Sequence, residues 1–337
     1  MADGNGGAGR RLASFRRSLD AGALLAGARE GDPRAVARLI SLVEDEHAVL
    51  REVMGALAPY TGDAQVIGLT GAPGVGKSTS TNAMVTAYRR NGLRVGVLAV
   101  DPSSPFTGGA ILGDRVRMQD HATDSGVYIR SMSSRGHLGG LAAATPQAVR
   151  VLEAAGCDVV LVETVGVGQA EVEVASLADT TLVLLAPGMG DAIQAVKAGI
   201  LEIADVFVVN KADRDGADST VRDIRGMISL GERGPGDWRP VIVKTVASRG
   251  SAAGSGVDEV IAAIDKHREW LSDHGELERR RRARAAAEIE AITLARVRER
   301  IGEHHDGALL DSLSGKVAGG SLDAYTAADE LMRGLDI

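Results

Sequence analysis

The sequence predicts an α/β fold, a doubly wound and mostly parallel sheet of about seven strands with helices at both ends of the chain. Three observations support it: β-branched runs of strand length recur between residues 65 and 247, helix-length segments separate most of them, and a glycine-rich loop follows the first run. Unbroken apolar strands are buried on both faces, and their alternation with helices indicates parallel crossovers. The predicted strands are QVIGLT, RVGVLAV, GVYIRSM, DVVLVET, TTLVLLAP, DVFVVN and PVIVKTV.

The regions outside the sheet are predicted to be helical, with one helix start at Asp32-Pro33. The predicted division is a disordered tail over 1–9, a helical extension over 10–60, a central sheet domain over 61–270 and a helical dimerisation arm over 271–337. A partial apolar stripe on the arm favours packing on a second subunit, against the alternative of a solvated peripheral helix. The run Arg279–Arg282 is interpreted as a solvated helix face rather than an RNA contact.

Composition narrows the functional classes. A net charge of −7 argues against a general nucleic-acid binder, which needs a basic surface to neutralise phosphates. No apolar run approaches the roughly 18 to 20 residues that span a bilayer, and no apolar stretch of an export signal follows Arg10 and Arg11. Cys157 is the single cysteine, so no intramolecular disulfide can form, and a reducing compartment is expected. We therefore predict a cytoplasmic protein without a membrane partner.

A phosphate-binding loop follows the first predicted strand. The stretch GAPGVGKS, residues 71–78, matches the P-loop pattern G-x-x-x-x-G-K-S without a gap. Its glycines let backbone N–H groups point at a β-phosphate, Lys77 brings a positive charge to the β- and γ-phosphate oxygens, and Ser78 offers a hydroxyl to Mg²⁺. A chance match would not also lie between a strand and a helix. The predicted phosphate-binding residues are Gly71, Ala72, Pro73, Gly74, Val75, Gly76, Lys77, Ser78 and Thr79.

The motif NKAD, residues 210–213, predicts a guanine site at the end of a later strand. The Asp213 carboxylate can accept hydrogen bonds from N1–H and the amino group of guanine, whereas adenine presents an acceptor at N1. Lys211 would lie along the purine face, and Asn210 would tie this loop to the P-loop. Four residues alone could be a solvated turn, but their order after the P-loop favours GTP and GDP over ATP. Backbone contacts to the guanine O6 are expected from Val246, Ala247 and Ser248.

Three carboxylates are candidates for a magnesium site beside Ser78. Asp101 ends a predicted strand, Asp114 opens a predicted helix, and Glu163 ends the strand DVVLVET. Mg²⁺ keeps several waters, so the longer glutamate can bond to a coordinated or attacking water where an aspartate is more usual. A helix N-cap is the main alternative for Asp114. Together with Lys77, these three carboxylates form the predicted catalytic set.

Hydrolysis at such a site is predicted to be slow without a partner. Gly166, three residues after Glu163, is expected to face the γ-phosphate with its N–H. Many GTPases carry a catalytic glutamine straight after this glycine, but Val167 stands here and Gln169 lies two residues further along. Because valine cannot orient water, we expect a partner or a switch movement to complete the site.

Five stretches resemble the MeaB/ArgK-type methylmalonyl-CoA mutase-associated GTPases: GAPGVGKST, AVDPSSPFTGGAILGDRVRM, YIRSMSSRGHLGGLA, ETVGVGQAEVEV and VVNKAD. The similarity runs across about residues 60–265. It implies a SIMIBI-class P-loop GTPase in which a glutamate takes the usual aspartate position of the Walker B motif. It also implies a homodimer that serves as a G-protein chaperone for adenosylcobalamin-dependent methylmalonyl-CoA mutase, gating cofactor loading and protecting or rescuing the mutase.

The resemblance implies a further switch, and the sequence departs from the family pattern at one position. The loop from Pro187 to Gly199 looks like the family's additional switch, which reports the nucleotide state to the mutase. The stretch TVAS, residues 245–248, stands where many relatives have a T-S-A type sequence, and Val246 lacks the hydroxyl. This departure weakens the expected contact with the guanine O6.

Three other functions compete with this interpretation. Proteins of this family have been labelled as ATPases or kinases of a lysine/arginine/ornithine transport system, for which Asp213 predicts the wrong base. A nickel-insertion GTPase would need cysteine or clustered histidine at ligand spacing, whereas Cys157 is alone and His304-His305 lie in a polar segment. A binding module without catalysis is the remaining alternative, against which the intact Lys77 and Ser78 argue.

Overall fold

The structure is a computed structural model that describes residues 20–45, 47–101, 120–121, 123–133, 144–164, 170–188, 200–231, 234, 236–303 and 308–334. Contacts within the chain divide it into two compact units, residues 1–280 and residues 281–337. In these described ranges, every helix is too short or too polar to cross a bilayer. The predicted tail over 1–9 lies outside them.

Three described helices precede the sheet. They are α1 (Ala21–Arg29), α2 (Pro33–Glu44) and α3 (Leu50–Leu57), followed by a 3₁₀ turn at Ala58–Tyr60. The predicted start at Asp32-Pro33 is confirmed, because Pro33 opens α2 and the Asp32 carboxylate accepts a hydrogen bond from the N–H of Arg34 at 2.9 Å. The apolar face of α2 is buried in the same core cluster as residues of the sheet.

A seven-stranded sheet forms the centre of the first unit. Its strands are β1 (Gln65–Thr70), β2 (Val95–Asp101), β3 (Val127–Ser133), β4 (Val159–Thr164), β5 (Thr180–Leu185), β6 (Val206–Val209) and β7 (Val241–Lys244). The order is β3-β2-β4-β1-β5-β6-β7, and every neighbouring pair is parallel. The predicted fold class is confirmed.

Helices connect and cover these strands. They are α4 (Lys77–Arg90), α5 (Thr145–Ala154), α6 (Ala170–Leu177), α7 (Ile200–Ile203), α8 (Ala217–Leu230) and α9 (Val257–Asp273). Buried side chains of α4 and α9, among them Met84 and Ile264, share one core cluster, while α5 shares another with the N-terminal helices. The sheet is therefore covered on both faces, which explains why its strands are mostly apolar.

The strand order creates a crevice at the carboxyl ends of the strands. β1 lies between β4 and β5, and the chain leaves β1 for β2 on the β4 side but later adds β5 on the other side. Ligands of open α/β sheets bind at such a switch point, outside the carboxyl ends of the strands. The loop that follows β1 carries the P-loop sequence, so the topology places this motif at the expected edge.

A network of polar groups lies at the opposite end, where β5 and β6 begin; we call it the amino-end network. The buried Asp205 carboxylate accepts two hydrogen bonds from the Arg280 guanidinium, at 2.9 and 3.0 Å, and one from the N–H of Thr181 at 2.8 Å. The fully buried His267 places Nδ1 2.9 Å from the Thr180 hydroxyl and Nε2 3.3 Å from Asp205 Oδ1. Burial lowers the pKa of His267 to about 4, although the Asp205 carboxylate opposes this shift.

The network corrects one sequence-based expectation. Arg279 and Arg282 are exposed, in keeping with a solvated helix face. Arg280 and Arg281, between them, are partly buried, and Arg280 also donates to the backbone oxygen of Asp179 at 3.0 Å. The prediction of a solvated run is therefore wrong for Arg280, because a carboxylate distant in sequence lies within its reach.

Three described helices complete the C-terminal part of the chain. They are α10 (Glu276–Glu303), α11 (Ala308–Ala318) and α12 (Ala324–Gly334). On α10, Ile289 and Ile292 of the predicted apolar stripe are exposed. In the second unit, Asp323 caps the start of α12 by accepting a hydrogen bond from the N–H of Tyr325 at 2.9 Å.

Candidate nucleotide site

The P-loop turns sharply between β1 and α4, and two positions in it require glycine. At Gly71, φ is +142° and a side-chain Cβ would clash with the backbone oxygen of Leu184. At Gly76, φ is +99° and a Cβ would clash with the Asn210 amide. Because both positions combine a left-handed backbone with a close neighbour, the loop can pack against β5 and the NKAD loop only with glycine.

The P-loop borders a cavity of about 350 Å³. Its lining comes from the P-loop and the start of α4, from the ends of β2 and β4, and from Lys211. Lys77, the first residue of α4, is buried, and its ammonium group donates hydrogen bonds to the backbone oxygens of Gly71 and Ala72, at 2.7 and 3.1 Å. The start of α4 adds backbone N–H groups and the positive end of the helix dipole, so this cavity suits a phosphate group.

The Glu163 carboxylate joins β4 to the first turn of α4. It is buried and accepts hydrogen bonds from the Ser78 hydroxyl at 2.6 Å and from the Thr81 hydroxyl at 2.9 Å. The predicted proximity of Ser78 and Glu163 is thus seen in the structure. Thr81 was not among the predicted residues, although its position three residues after Ser78 on one helix face is a signal that could have found it.

The NKAD loop lies directly against the P-loop. The Asn210 side-chain amide donates to the backbone oxygen of Val75 at 2.9 Å, and the Lys211 ammonium donates to that of Gly74 at 2.6 Å. Lys211 has φ of +55°, a left-handed backbone conformation that turns the chain after β6. Asp213 is exposed at the end of this turn. The described residues therefore bring the predicted base loop and the phosphate loop together.

The segment after β7 supports Asn210. The Asn210 side-chain oxygen accepts hydrogen bonds from the Thr245 hydroxyl at 3.1 Å and from the N–H of Ala247 at 3.0 Å. The N–H of Val246 donates to the backbone oxygen of Ser255 at 2.8 Å. Two of the three predicted guanine-contacting residues thus use their N–H groups within the protein, while Ser248 is exposed beside them. Thr245 belongs to the predicted stretch TVAS, but the bond from its side chain to Asn210 was not predicted.

The side-chain oxygens at the cavity are of the chemical types that bind Mg²⁺. Ser78 and Glu163 supply a hydroxyl and a carboxylate, the ligand types that hard cations prefer. Within the described ranges, no group of three or more histidine, cysteine or acidic side chains could hold a metal ion. Asp101 ends β2, so its backbone lies at the correct edge of the sheet.

Several predicted residues fall outside the described ranges. They are Asp114, Gly166, Val167, Gln169 and the loop after Gly188. The roles assigned to them stay predictions.

Comparison with known proteins decides the family. The family model for "Methylmalonyl Co-A mutase-associated GTPase MeaB" matches residues 36–306. The chain belongs to this family. It is therefore a P-loop GTPase. The resemblance stated from the five sequence stretches is confirmed.

Two individual relatives and one solved structure are similar to this chain over most of its length. A protein of Pyrococcus abyssi is 46% identical over 308 residues, which cover 90% of this chain and 94% of the relative. The mouse protein named methylmalonic aciduria type A homolog, mitochondrial, is 32% identical over 328 residues, covering 92% of this chain and 78% of the relative. The crystal structure of a protein named LAO/AO transport system kinase matches with a TM-score of 0.70 and 27% identity, covering 95% of this chain and 99% of the other.

Proposed function

We propose that this GTPase binds GTP and GDP with Mg²⁺, hydrolyses GTP slowly on its own, and acts as a chaperone of an adenosylcobalamin-dependent methylmalonyl-CoA mutase. The chaperone role would cover cofactor loading, protection or reactivation. The observation that carries the proposal is the hydrogen bond from Asn210 to the P-loop at Val75. It joins a guanine-specific motif to a phosphate loop in a chain whose family is defined by its association with that mutase.

The described residues support a division of roles at the cavity. Lys77 would give up its backbone acceptors to bind the β- and γ-phosphate oxygens, because a charged acceptor forms the stronger hydrogen bond. Ser78, with Asp101, Asp114 and Glu163, would hold Mg²⁺, which neutralises phosphate charge when bound. The remaining P-loop N–H groups would complete the phosphate site.

Base recognition is assigned to the NKAD loop. Asp213 is exposed, whereas Asn210 is buried. The Asp213 carboxylate would accept both hydrogen bonds from guanine. Lys211, held to Gly74, would lay its aliphatic stem on the purine. The exposed Ser248 would offer its N–H to the guanine O6 in preference to Val246 and Ala247.

Slow hydrolysis is proposed because Val167 cannot orient a water. The mutase would then complete the site through the Gly166 segment and the loop from Pro187 to Gly199. The C-terminal helices, residues 271–337, are proposed to join two copies of the chain, and the exposed Ile289 and Ile292 on α10 suit such a contact. The proposed location is the cytoplasm.

Single-turnover hydrolysis of GTP, measured with and without a methylmalonyl-CoA mutase, tests the proposal. We expect the mutase to raise the rate at least about tenfold, as partners that complete a GTPase site do. Mutase captured from native cytosol with this protein should contain cobalamin whose occupancy changes when GTP is replaced by GDP. No stimulation by any cobalamin-dependent mutase would contradict the chaperone role while leaving the GTPase assignment intact.

The second candidate function is an ATPase or kinase of an amino-acid transport system. The name of the protein in the matched crystal structure favours it. A transport ATPase should bind ATP and act with a membrane partner, whereas the carboxylate at Asp213 would repel N1 of adenine. Competition between ATP and GTP therefore separates the two candidates.

A further inference from the structure

We infer that Thr81 is a positioning residue that holds the Glu163 carboxylate for the magnesium-bound state of the nucleotide site. The inference rests on the proposed function, because it concerns how that site takes up Mg²⁺. The Thr81 hydroxyl donates to Glu163 Oε2 at 2.9 Å, while the Ser78 hydroxyl donates to Oε1 at 2.6 Å. Each oxygen of one carboxylate is thus held by a different hydroxyl.

The placement of the two hydroxyls follows from the helix. Ser78 and Thr81 are three residues apart near the start of α4 and lie on the same helix face, towards the end of β4. Because two points fix the plane of the carboxylate, Glu163 cannot turn about its last side-chain bond without breaking one of these contacts. All three side chains are buried, so water competes weakly for them.

Thr81 has a second acceptor that a merely structural threonine would use. Its hydroxyl lies 3.1 Å from the backbone oxygen of Lys77, four residues earlier, the usual bond of a threonine inside a helix. A hydroxyl carries one hydrogen, and the shorter contact is to the carboxylate. The charged acceptor forms the stronger bond, so the hydrogen is directed to Glu163.

This arrangement matters for metal binding. The Ser78 oxygen can present a lone pair to Mg²⁺ when its hydrogen points to a neighbouring acceptor, and Glu163 Oε1 is that acceptor. Thr81 keeps Oε1 in place by holding Oε2. Replacing a residue that orients a metal ligand in this indirect way typically lowers metal affinity by about 10- to 100-fold.

The test is Thr81→Val, which keeps the shape and removes the hydroxyl. Binding of fluorescent N-methylanthraniloyl-GDP is titrated with Mg²⁺ and repeated in EDTA. We expect the Mg²⁺ concentration at half-maximal effect to rise about tenfold, with GDP affinity in EDTA unchanged. Thr81→Ser restores the hydroxyl and should restore the wild-type midpoint.

Thr220→Val is the matched control. Thr220 is also buried, and its hydroxyl donates to the backbone oxygen of Gly216, four residues earlier, at 3.1 Å. It lies in α8, so this variant should keep the wild-type Mg²⁺ midpoint. If the added methyl group of Thr81→Val prevents folding, Thr81→Ala removes the same hydroxyl and should show the same shift.

Two results would overturn the inference: an unchanged Mg²⁺ midpoint in folded Thr81→Val, or an equal shift in Thr81→Ser. The readout needs neither hydrolysis nor a mutase. A protein that preferred adenine nucleotides, or that no mutase stimulated, would defeat the proposed function. The Mg²⁺ titration of the Thr81 variants would then be repeated with the nucleoside diphosphate that the protein prefers, and its outcome would still decide the inference.

Discussion

The two ends of the sheet both bury charged groups, but they use them differently. At the amino end, Asp205 is satisfied by Arg280 and by the backbone, and His267 packs neutral beside it. At the carboxyl end, Lys77 and Glu163 border a cavity of about 350 Å³. Buried charge alone is therefore no sign of function in this chain.

The difference lies in what the partners are. Asp205 and Arg280 are side chains that pair with each other, so the charge at the amino end is balanced within the protein. Lys77 instead donates to backbone oxygens of Gly71 and Ala72, neutral acceptors that a phosphate would replace with charged ones. The amino end therefore contributes to the stability of the fold, whereas the carboxyl end is the proposed nucleotide site.

The largest expected effect is that of Lys77→Ala on catalysis. Removing the ammonium group from the phosphate site should lower kcat/KM for GTP by about 1000-fold, because a preorganised charge at the transferring phosphoryl group is lost. The free energy of unfolding should change little. Steady-state kinetics and urea unfolding measure both. Lys244→Ala removes an equal charge from an exposed pair with Asp218 and should leave kcat/KM unchanged.

At the amino end we expect a large effect on the free energy of unfolding and little effect on nucleotide binding. Asp205→Asn leaves the Arg280 guanidinium and His267 without their carboxylate and should lower the free energy of unfolding by about 3 kcal/mol. GDP affinity should stay at the wild-type value. Urea unfolding followed by circular dichroism measures the first, and calorimetry the second. A stable variant with weakened GDP binding would contradict the separation of the two ends.

Glu163→Gln is expected to act on turnover more than on binding. The amide keeps the shape but loses the charge that orients the Ser78 hydroxyl, so GTP hydrolysis should fall about 10- to 100-fold. GTP affinity in EDTA should be retained. Unchanged turnover in a folded variant would remove Glu163 from the mechanism.

The smallest expected effect is a pH dependence from His267. Its pKa is about 4 in the folded protein and about 6.5 when unfolded, so between these values only the unfolded chain takes up the proton. The stabilisation is complete above pH 6.5 and is lost as the pH falls towards 4. From pH 7 to pH 5 this loss should be about 2 kcal/mol. His267→Gln should flatten this part of the stability profile, and an unchanged slope would contradict the assignment to His267.

The sequence predicts the carboxyl end of the sheet better than the amino end, because the signals for the carboxyl end are contiguous motifs. The P-loop and NKAD are contiguous motifs, each directly after a strand, and the parallel topology brings the ends of β1 and β6 to one edge. All seven strands were predictable, since strands of a parallel sheet that is covered on both faces are mostly apolar.

The amino-end network could not be predicted in the same way. Asp205 and Arg280 are 75 residues apart, and no spacing rule connects them. In the site, the side-chain roles of Thr81 and Thr245 escaped prediction for a related reason. Each acts through a partner from another element, Glu163 and Asn210 respectively, so its role depends on how those elements pack.

Nucleotide competition tests the central claim, a guanine site at the carboxyl end, most directly. Calorimetric titration with GTP and ATP should give at least about 100-fold tighter binding of GTP to the wild-type protein. Asp213→Asn should remove most of this preference, because its amide donor would face the guanine amino group. Equal affinities for ATP and GTP in the wild-type protein would contradict the account.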